Sequence, residues 1–418
     1  MEYTMKKTIL IIGYKFPPMG GIGTRRWVKF SKYLAKLGYQ VHILTVDYKF
    51  QDKTTWINDV DKRVQIHKFK SKYPLWLLTE SNSRFLKQFK RYSNFILKKL
   101  LFYIDIAQYD AKTIIGEAKK IIDKNDIINV IASGHPVSIN YFSSYLKVDN
   151  PNINLIQDYR DNWNDLKVYH YGNRGGLCFF KRKEKSAYQE FFTIFYADKV
   201  INVSNDLSNK LQKKHKSLDD KFITLTNGYD DDDFRELKCS NNSFNIIYAG
   251  SLFNERIEAI YLLLDAIIAI DDEYINNYLK IVIYSNYDIN RISKKYQSLI
   301  NKNIFFRDFI PPKDILVEMA KFSFCLSINS KFAPYAFGTK IFDYMALNKK
   351  IVHISNGGAL YNLLEEKREL VSDYDIENIK TVLLKMKEVY LNRDSNLLPD
   401  YSDFSLKKLT LKLEKLFV

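Results

Sequence analysis

The chain has 418 residues, which leaves room for two or three domains with cores of their own and excludes a small disulfide-stapled scaffold. Apolar residue types make up 46% and aromatic types 15%, enough burial to offset the entropy of ordering, so a disordered chain is excluded as well. The formal net charge of +16 favours anionic partners, whether nucleic acid, anionic lipid or phosphorylated substrate, without choosing among them.

In chain order, Met1–Leu10 is charged and then apolar without a small-residue cleavage site, so no secretory signal is read and a cytoplasmic location is expected. Lys7–Ile12 reads as a strand, followed by a Gly- and Pro-rich loop, a helical pattern over about Thr24–Leu37 and a second strand at Val41–Val46. Further strands are expected at Ile128–Ala132, Ile153–Gln157 and Lys199–Val203, so the first half predicts a parallel sheet wrapped by helices. At Asn227-Gly228 the pattern breaks, and Asp230–Asp233 with the polar run through Ser243 reads as a linker. A second series follows, with strands at Phe244–Tyr248, Leu279–Tyr284, Ile304–Phe306, Phe324–Ile328 and Ile351–Ile354, and helices at Ala259–Ile270, Pro312–Lys321 and Lys340–Leu347. The predicted fold class is α/β, two Rossmann-like domains facing a central cleft, because ligands of open α/β sheets sit outside the carboxyl ends of the strands. The expected boundaries are 1–230, 231–400 and a closing helix at 401–418 that packs back on the first domain.

No stretch approaches the roughly 20 apolar residues of a membrane span, and the best run, Tyr261–Ile270, contains Asp265. Cys178, Cys239 and Cys325 are too scattered for a disulfide framework or a zinc site, which fits a reducing compartment. Lys68–Tyr103 is different in character: many Lys and Arg residues stand against the single acid Glu80, interleaved with Trp76, Phe85, Phe89 and Phe95. Phe85, Phe89, Tyr92 and Ile96 recur at helical intervals, which predicts a helix with one apolar face and basic flanks. Such a helix lies on an anionic membrane surface or packs its apolar face on its own domain, and periodicity does not choose between the two.

Several loops carry residues suited to binding anions. Gly20, Gly21 and Gly23 lie between the first strand and the first helix, where backbone amides and a helix N-terminus favour phosphate. They do not form the dinucleotide fingerprint, since Arg26 occupies the third glycine position; Asp47 after the second strand keeps an NAD-dependent oxidoreductase as an alternative. Ser133-Gly134-His135-Pro136 and Asp158-Tyr159-Arg160-Asp161 follow strands; Asp158 reads as a structural ion-pair residue, and His135 and Asp161 as substrate-facing. In the second half, Gly250 and Ser251 precede Arg256, a diphosphate-binding combination. Phe337, Gly338 and Thr339 open a helix on which Lys340 and Asp343 share a face, suiting Lys340 to a phosphate and Asp343 to a ribose.

Taken in order, these segments resemble glycosyltransferase family 4, retaining enzymes of GT-B fold. The resemblance covers nearly the whole chain through Pro17-Pro18-Met19-Gly20-Gly21, Ser133–Pro136, Asp158–Trp163, Ala197–Ile201, Asn227–Asp230 and Tyr248–Ser251, and is greatest to the bacterial surface-polysaccharide type. It implies a nucleotide-sugar donor, no further cofactor and no metal, and a glycan or lipid-linked glycan acceptor reached from the inner face of the cell membrane. The family places two glutamates in its donor motif, the first on the donor sugar and the second on the ribose; here Tyr335 and Asp343 stand in those places around Phe337-Gly338. The expected assignment gives Arg256, Lys340, Gly338 and Thr339 to the leaving diphosphate, Gly20 and Gly21 to the opposite wall, and Asp161 and His135 to sugar or acceptor hydroxyls. A noncatalytic nucleotide-sugar-binding or membrane scaffold protein is the alternative from another class. Nucleic acid is not an expected partner, because no reader motif accompanies the charge.

Overall fold

The computed structural model describes residues 7–19, 22–49, 56–79, 81, 83–100, 105–161, 163, 177–240, 242–252, 255–331, 337–392 and 399–418. Its contacts divide the chain into two units, Met1–Thr226 with Thr410–Val418, and Asn227–Leu409.

The first unit runs β1 (Thr8–Gly13), α1 (Ile22–Lys36), β2 (Gln40–Val46), β3 (Gln65–Phe69), α2 (Arg84–Leu100), α3 (Ala111–Asn125), β4 (Asn129–Ser133), α4 (Ser138–Asp149), β5 (Asn154–Tyr159), α5 (Leu177–Tyr196), β6 (Lys199–Asn202), α6 (Asn205–Lys214) and β7 (Phe222–Thr224). All seven strands are parallel neighbours in the order β3-β2-β1-β4-β5-β6-β7. Central strands read as unbroken apolar runs because both faces are covered: Ile9, Leu10, Ile11 and Ile12 of β1 are all buried. The order reverses between β1 and β4, and the register sets Gly13, Ser133 and Asp158 side by side at the carboxyl edge. That reversal is where an open α/β sheet offers a crevice for ligands.

The second unit runs β8 (Asn245–Ala249), α7 (Glu255–Ala269), α8 (Glu273–Tyr278), β9 (Lys280–Tyr284), β10 (Ile304–Arg307), α9 (Pro312–Ala320), β11 (Phe324–Ile328), α10 (Thr339–Ala346), β12 (Lys350–Ile354), α11 (Ala359–Glu366), β13 (Leu370–Ser372) and α12 (Ile376–Leu391). Its six strands are again parallel, in the order β10-β9-β8-β11-β12-β13. Alternation along β8 divides the core: Ile246 and Tyr248 pack with Leu263 and Leu383, whereas Ile247 and Ala249 pack with Leu316, Phe342 and Leu364. The expected strands and helices are present with their ends moved by a few residues; β3, β7 and β13 are additions at or near the sheet edges.

The last helix, α13 (Leu406–Glu414), runs into the closing segment Thr410–Val418 of the first unit. There Asn129 donates to the Val418 carbonyl at 3.0 Å, Asn154 donates to the Leu416 carbonyl at 2.8 Å, and Phe417 meets the Tyr39 ring edge-on. In the second unit Tyr229 bridges Ser405, and a Cβ on Gly228 would lie 2.3 Å from the Phe404 carbonyl oxygen, so glycine is required at that close approach. The acidic run beside it is used locally. Asp230 accepts from the Asp232 amide, Asp231 accepts from the Ser405 hydroxyl at 2.6 Å, and Asp232 pairs with Arg235 at 2.8 Å. Among the described residues no helix is long and apolar enough to cross a membrane.

Candidate functional site

In the first unit the loops after β1, β4 and β5 leave adjacent strands at the sheet's reversal point. Beneath them lies a polar lock. Asp158, at the end of β5 and fully buried, accepts from Trp27 Nε1 at 2.9 Å and from Ser133 Oγ at 2.7 Å. Its other oxygen is 3.2 Å from Arg26, whose guanidinium also donates to the carbonyls of Thr226 and Leu225 at 2.9 and 3.0 Å. Burial lowers the pKa of Arg26, and the facing Asp158 charge opposes that shift. Asp158 is therefore an ion-pair residue, as its position suggests, but its partner is Arg26 of α1 rather than the adjacent Arg160.

Arg160 instead reaches back across the sheet and donates to the Gly23 carbonyl at 2.5 Å. A Cβ on Gly23 would sit 2.9 Å from the Arg160 guanidinium nitrogen, so a larger residue here would have to displace the end of that side chain. Gly20 and Gly21 lie outside the described residues.

Above the lock, His135 and Asp161 come together from two different loops. His135 Nε2 lies 2.9 Å from Asp161 Oδ2, with the side chains 27% and 48% exposed. Desolvation disfavours the ionised Asp161, yet the hydrogen bond and charge of His135, with Arg160 and Lys15 nearby, outweigh it and hold the carboxyl below the ordinary aspartate range. Asp161 is thus an ionised acceptor at neutral pH, suited to orienting hydroxyls. Two open cavities flank the pair. One of about 290 Å³ is lined by Gly13, Lys15, Gly23, His135 and Arg160, and one of about 190 Å³ by His135, Tyr159, Asp161 and Trp163. Lys15, near Asp161, carries no signal in the sequence, and the partners of Arg26 and Arg160 are distant along the chain.

In the second unit the equivalent reversal lies between β8 and β11, which are parallel neighbours, so the loops after both leave the same edge of the sheet. The β8 loop carries Gly250 and Ser251, and Arg256 at the start of α7 donates to Ser251 Oγ at 3.3 Å. Tyr248 supports this turn from below, donating to the Ser251 carbonyl at 3.0 Å; burial raises the pKa of its phenol, and Arg256 opposes the shift. The Gly250 amide donates to the carbonyl of Tyr284, the last residue of β9, at 3.1 Å, tying the start of this loop to the neighbouring strand.

The β11 loop leads into α10. Gly338 is its exposed N-cap, Thr339 its first residue, and the Phe337 ring stacks on Phe342 at 6.1 Å, anchoring the entry to the core. Lys340 lies 3.9 Å from Asp343, with the side chains 29% and 1% exposed. Tyr335 lies outside the described residues. The expected residues of this unit thus group on two neighbouring loops, with Arg256 and Lys340 on their respective helices and Asp343 turned inward beside Lys340.

No family model matches the sequence, and no curated protein matches it. Solved structures do. A glycosyltransferase from Rickettsia africae aligns at 16% identity and TM-score 0.55 over 99% of this chain and 98% of that one. WaaG, a glycosyltransferase involved in lipopolysaccharide biosynthesis, aligns at 12% identity and TM-score 0.56 over 98% and 99%. A UDP-GlcNAc 2-epimerase from Neisseria meningitidis, solved with UDP-GlcNAc, aligns at 13% identity and TM-score 0.57 over the same shares of the two chains. The fold is that of GT-B glycosyltransferases, two Rossmann-like domains each built on one parallel sheet.

Proposed function

We propose that the chain is a retaining, metal-independent glycosyltransferase of the family 4 kind, moving a sugar from a nucleoside diphosphate to a hydroxyl of a glycan or lipid-linked glycan. The observation that carries this reading is the placement of the candidate residues. Those among the described residues fall in each unit on loops at the reversal point of the sheet or on the first turns of the helices that follow, with cations and a glycine turn in the second unit and a His–Asp pair in the first. The resemblance of the chain to surface-polysaccharide enzymes points to the cell envelope as the destination of the product.

In such a reaction the anomeric carbon passes through an oxocarbenium-like state while charge grows on the leaving diphosphate. The useful protein groups are then fixed cations and amides at the diphosphate, which gain most as that charge develops. Arg256, Lys340 and the amides of Gly338 and Thr339 take this role, with Gly250 and Ser251 shaping the turn. Phe337 seats the start of α10. Asp343, which lies 3.9 Å from Lys340 on the same helix, holds the donor ribose, as the motif implies. His135 and Asp161 orient hydroxyls of the sugar or the acceptor, and Asp161, ionised at neutral pH, accepts from whichever hydroxyl approaches. No cofactor beyond the donor enters the reaction.

Donor binding tests the assignment of the second unit. A nucleoside diphosphate at about 100 times its dissociation constant adds roughly 2.7 kcal/mol of stability, read as a rise in Tm. Across a panel of nucleoside diphosphates at least one should produce that rise, and Arg256→Ala or Lys340→Ala should diminish it. A Tm indifferent to every nucleotide, or a rise unchanged in both variants, contradicts the assignment.

A further inference from the structure

We propose that α2 is a docking surface for an anionic lipid bilayer. An amphipathic surface helix ordinarily turns its apolar stripe to the core and its charges to water. In α2 the aromatic side of the stripe is also left in water. Phe85 is 79% exposed, Tyr92 66%, Phe95 52% and Phe89 49%, and Leu86 lies with them on the surface. Lys90 is the residue turned inward: it is buried, and its ammonium donates to the Thr79 carbonyl at 2.9 Å and to the Thr79 hydroxyl at 2.7 Å. Leu97 reaches the core, and the Tyr109 hydroxyl donates to the Leu97 carbonyl at 3.1 Å. The helix is therefore held by Lys90 and Leu97 while it presents a line of aromatic rings outward. Trp76, from the preceding loop, joins that line by stacking on Phe89 at 6.4 Å.

Contiguous exposed rings of this kind mark a surface that something covers, and charge selects the occupant. The helix Arg84–Leu100 contains no acidic residue, and Arg84, Lys87 and Arg91 are exposed beside the rings, with Lys98 and Lys99 in its last turn. A second copy of the same helix would bring like charges together. A nucleic acid would satisfy the cations but gives no reason for a continuous apolar stripe along the helix. An anionic bilayer satisfies both, with rings at the boundary of headgroups and acyl chains and cations among the phosphates. Lys90, which belongs to the helix's own anchorage, is not one of the lipid-facing cations.

Trp76 makes the test direct, because it is 43% exposed while Trp27, Trp56 and Trp163 are buried. The full chain is mixed with vesicles of phosphatidylcholine containing increasing phosphatidylglycerol, and tryptophan emission and co-sedimentation are followed together. The expected result is a blue shift and sedimentation that grow with phosphatidylglycerol and weaken with salt. Trp76→Phe should lose the shift while still sedimenting. Lys87→Gln with Arg91→Gln should reduce partitioning about 30-fold, and Phe85→Ser with Phe89→Ser should reduce it further. These side chains are exposed, so an unchanged Tm confirms that each variant is folded. Equal binding to pure phosphatidylcholine, or binding indifferent to both double variants, overturns the proposal. So does capture of a single-stranded oligonucleotide through the same residues by a chain that ignores vesicles. None of these outcomes depends on donor chemistry, so the proposal stands or falls apart from the glycosyl-transfer reading.

Discussion

Asp158, at the end of β5, and Asp161, on the loop that follows, lie three positions apart and differ in their surroundings. Asp158 is sealed in and ties α1 to β4 and β5 through Trp27, Ser133 and Arg26; Asp161 stands half-exposed against His135. Removing the Asp158 carboxylate leaves the Arg26 guanidinium buried without its counter-charge, a change that costs about 3–5 kcal/mol in comparable pairs. Asp158→Ala should therefore lower the urea midpoint by that measure with little change in slope, and a loss below about 1 kcal/mol would mean the pair is not what holds α1. The separation of a buried, paired aspartate from a half-exposed one was readable from the sequence, because one lies at the end of the strand and the other out on the loop. The partner was not: Trp27 and Asp158 are 131 positions apart, and only the parallel register of β1, β4 and β5 brings them together. Gly23 is a similar case, since the Arg160 side chain that packs against it comes from 137 positions away.

Among the elements, strands buried on both faces announced themselves as apolar runs, and those without that pattern did not. β3 reads Gln-Ile-His-Lys-Phe at an edge with only Phe69 buried, and β7 and β13 have three residues each. In α2 the period was plain but the direction of the stripe was not, because a hydrophobic pattern does not say which face a lysine will anchor. The strands also carry two buried histidines with a measurable consequence. His42 of β2 faces His67 of β3 at 3.0 Å, and His353 of β12 faces the Ser327 hydroxyl of β11 at 3.1 Å. Burial, and for His42 the charge of His67 as well, pushes each pKa from 6.5 down to about 4. Between those values the unfolded chain binds protons that the folded chain refuses, so stability rises with pH across the window and levels off above it. Each histidine contributes up to about 1.4 kcal/mol per pH unit there. Urea midpoints measured from about pH 4.5 to about pH 7 should show this rise, and His353→Gln should remove part of it. A flat profile, or a slope unaltered in the variant, contradicts the assignment.

At the scale of the molecule, two Rossmann-like halves were legible in a chain that no family model matches, because what a doubly wound sheet demands is a pattern rather than particular residues; the order of the strands was not. Apolar strands, glycine-bearing loops at their carboxyl ends and amphipathic helices satisfy that demand at identities of 12 to 16%. Chemistry is less legible, since one fold serves both glycosyltransferases and epimerases of nucleotide sugars. The reaction itself separates them. The chain is incubated with a panel of nucleoside diphosphate sugars in the presence and absence of a glycan acceptor, and released nucleoside diphosphate and the anomeric configuration of the product are measured by NMR. The expected result is acceptor-dependent transfer with the donor's configuration retained, reduced about 10²-fold or more in Arg256→Ala, the scale of losing a dedicated charge stabiliser. Donors recovered unchanged, or converted only to their epimers with no acceptor glycosylated, would contradict it.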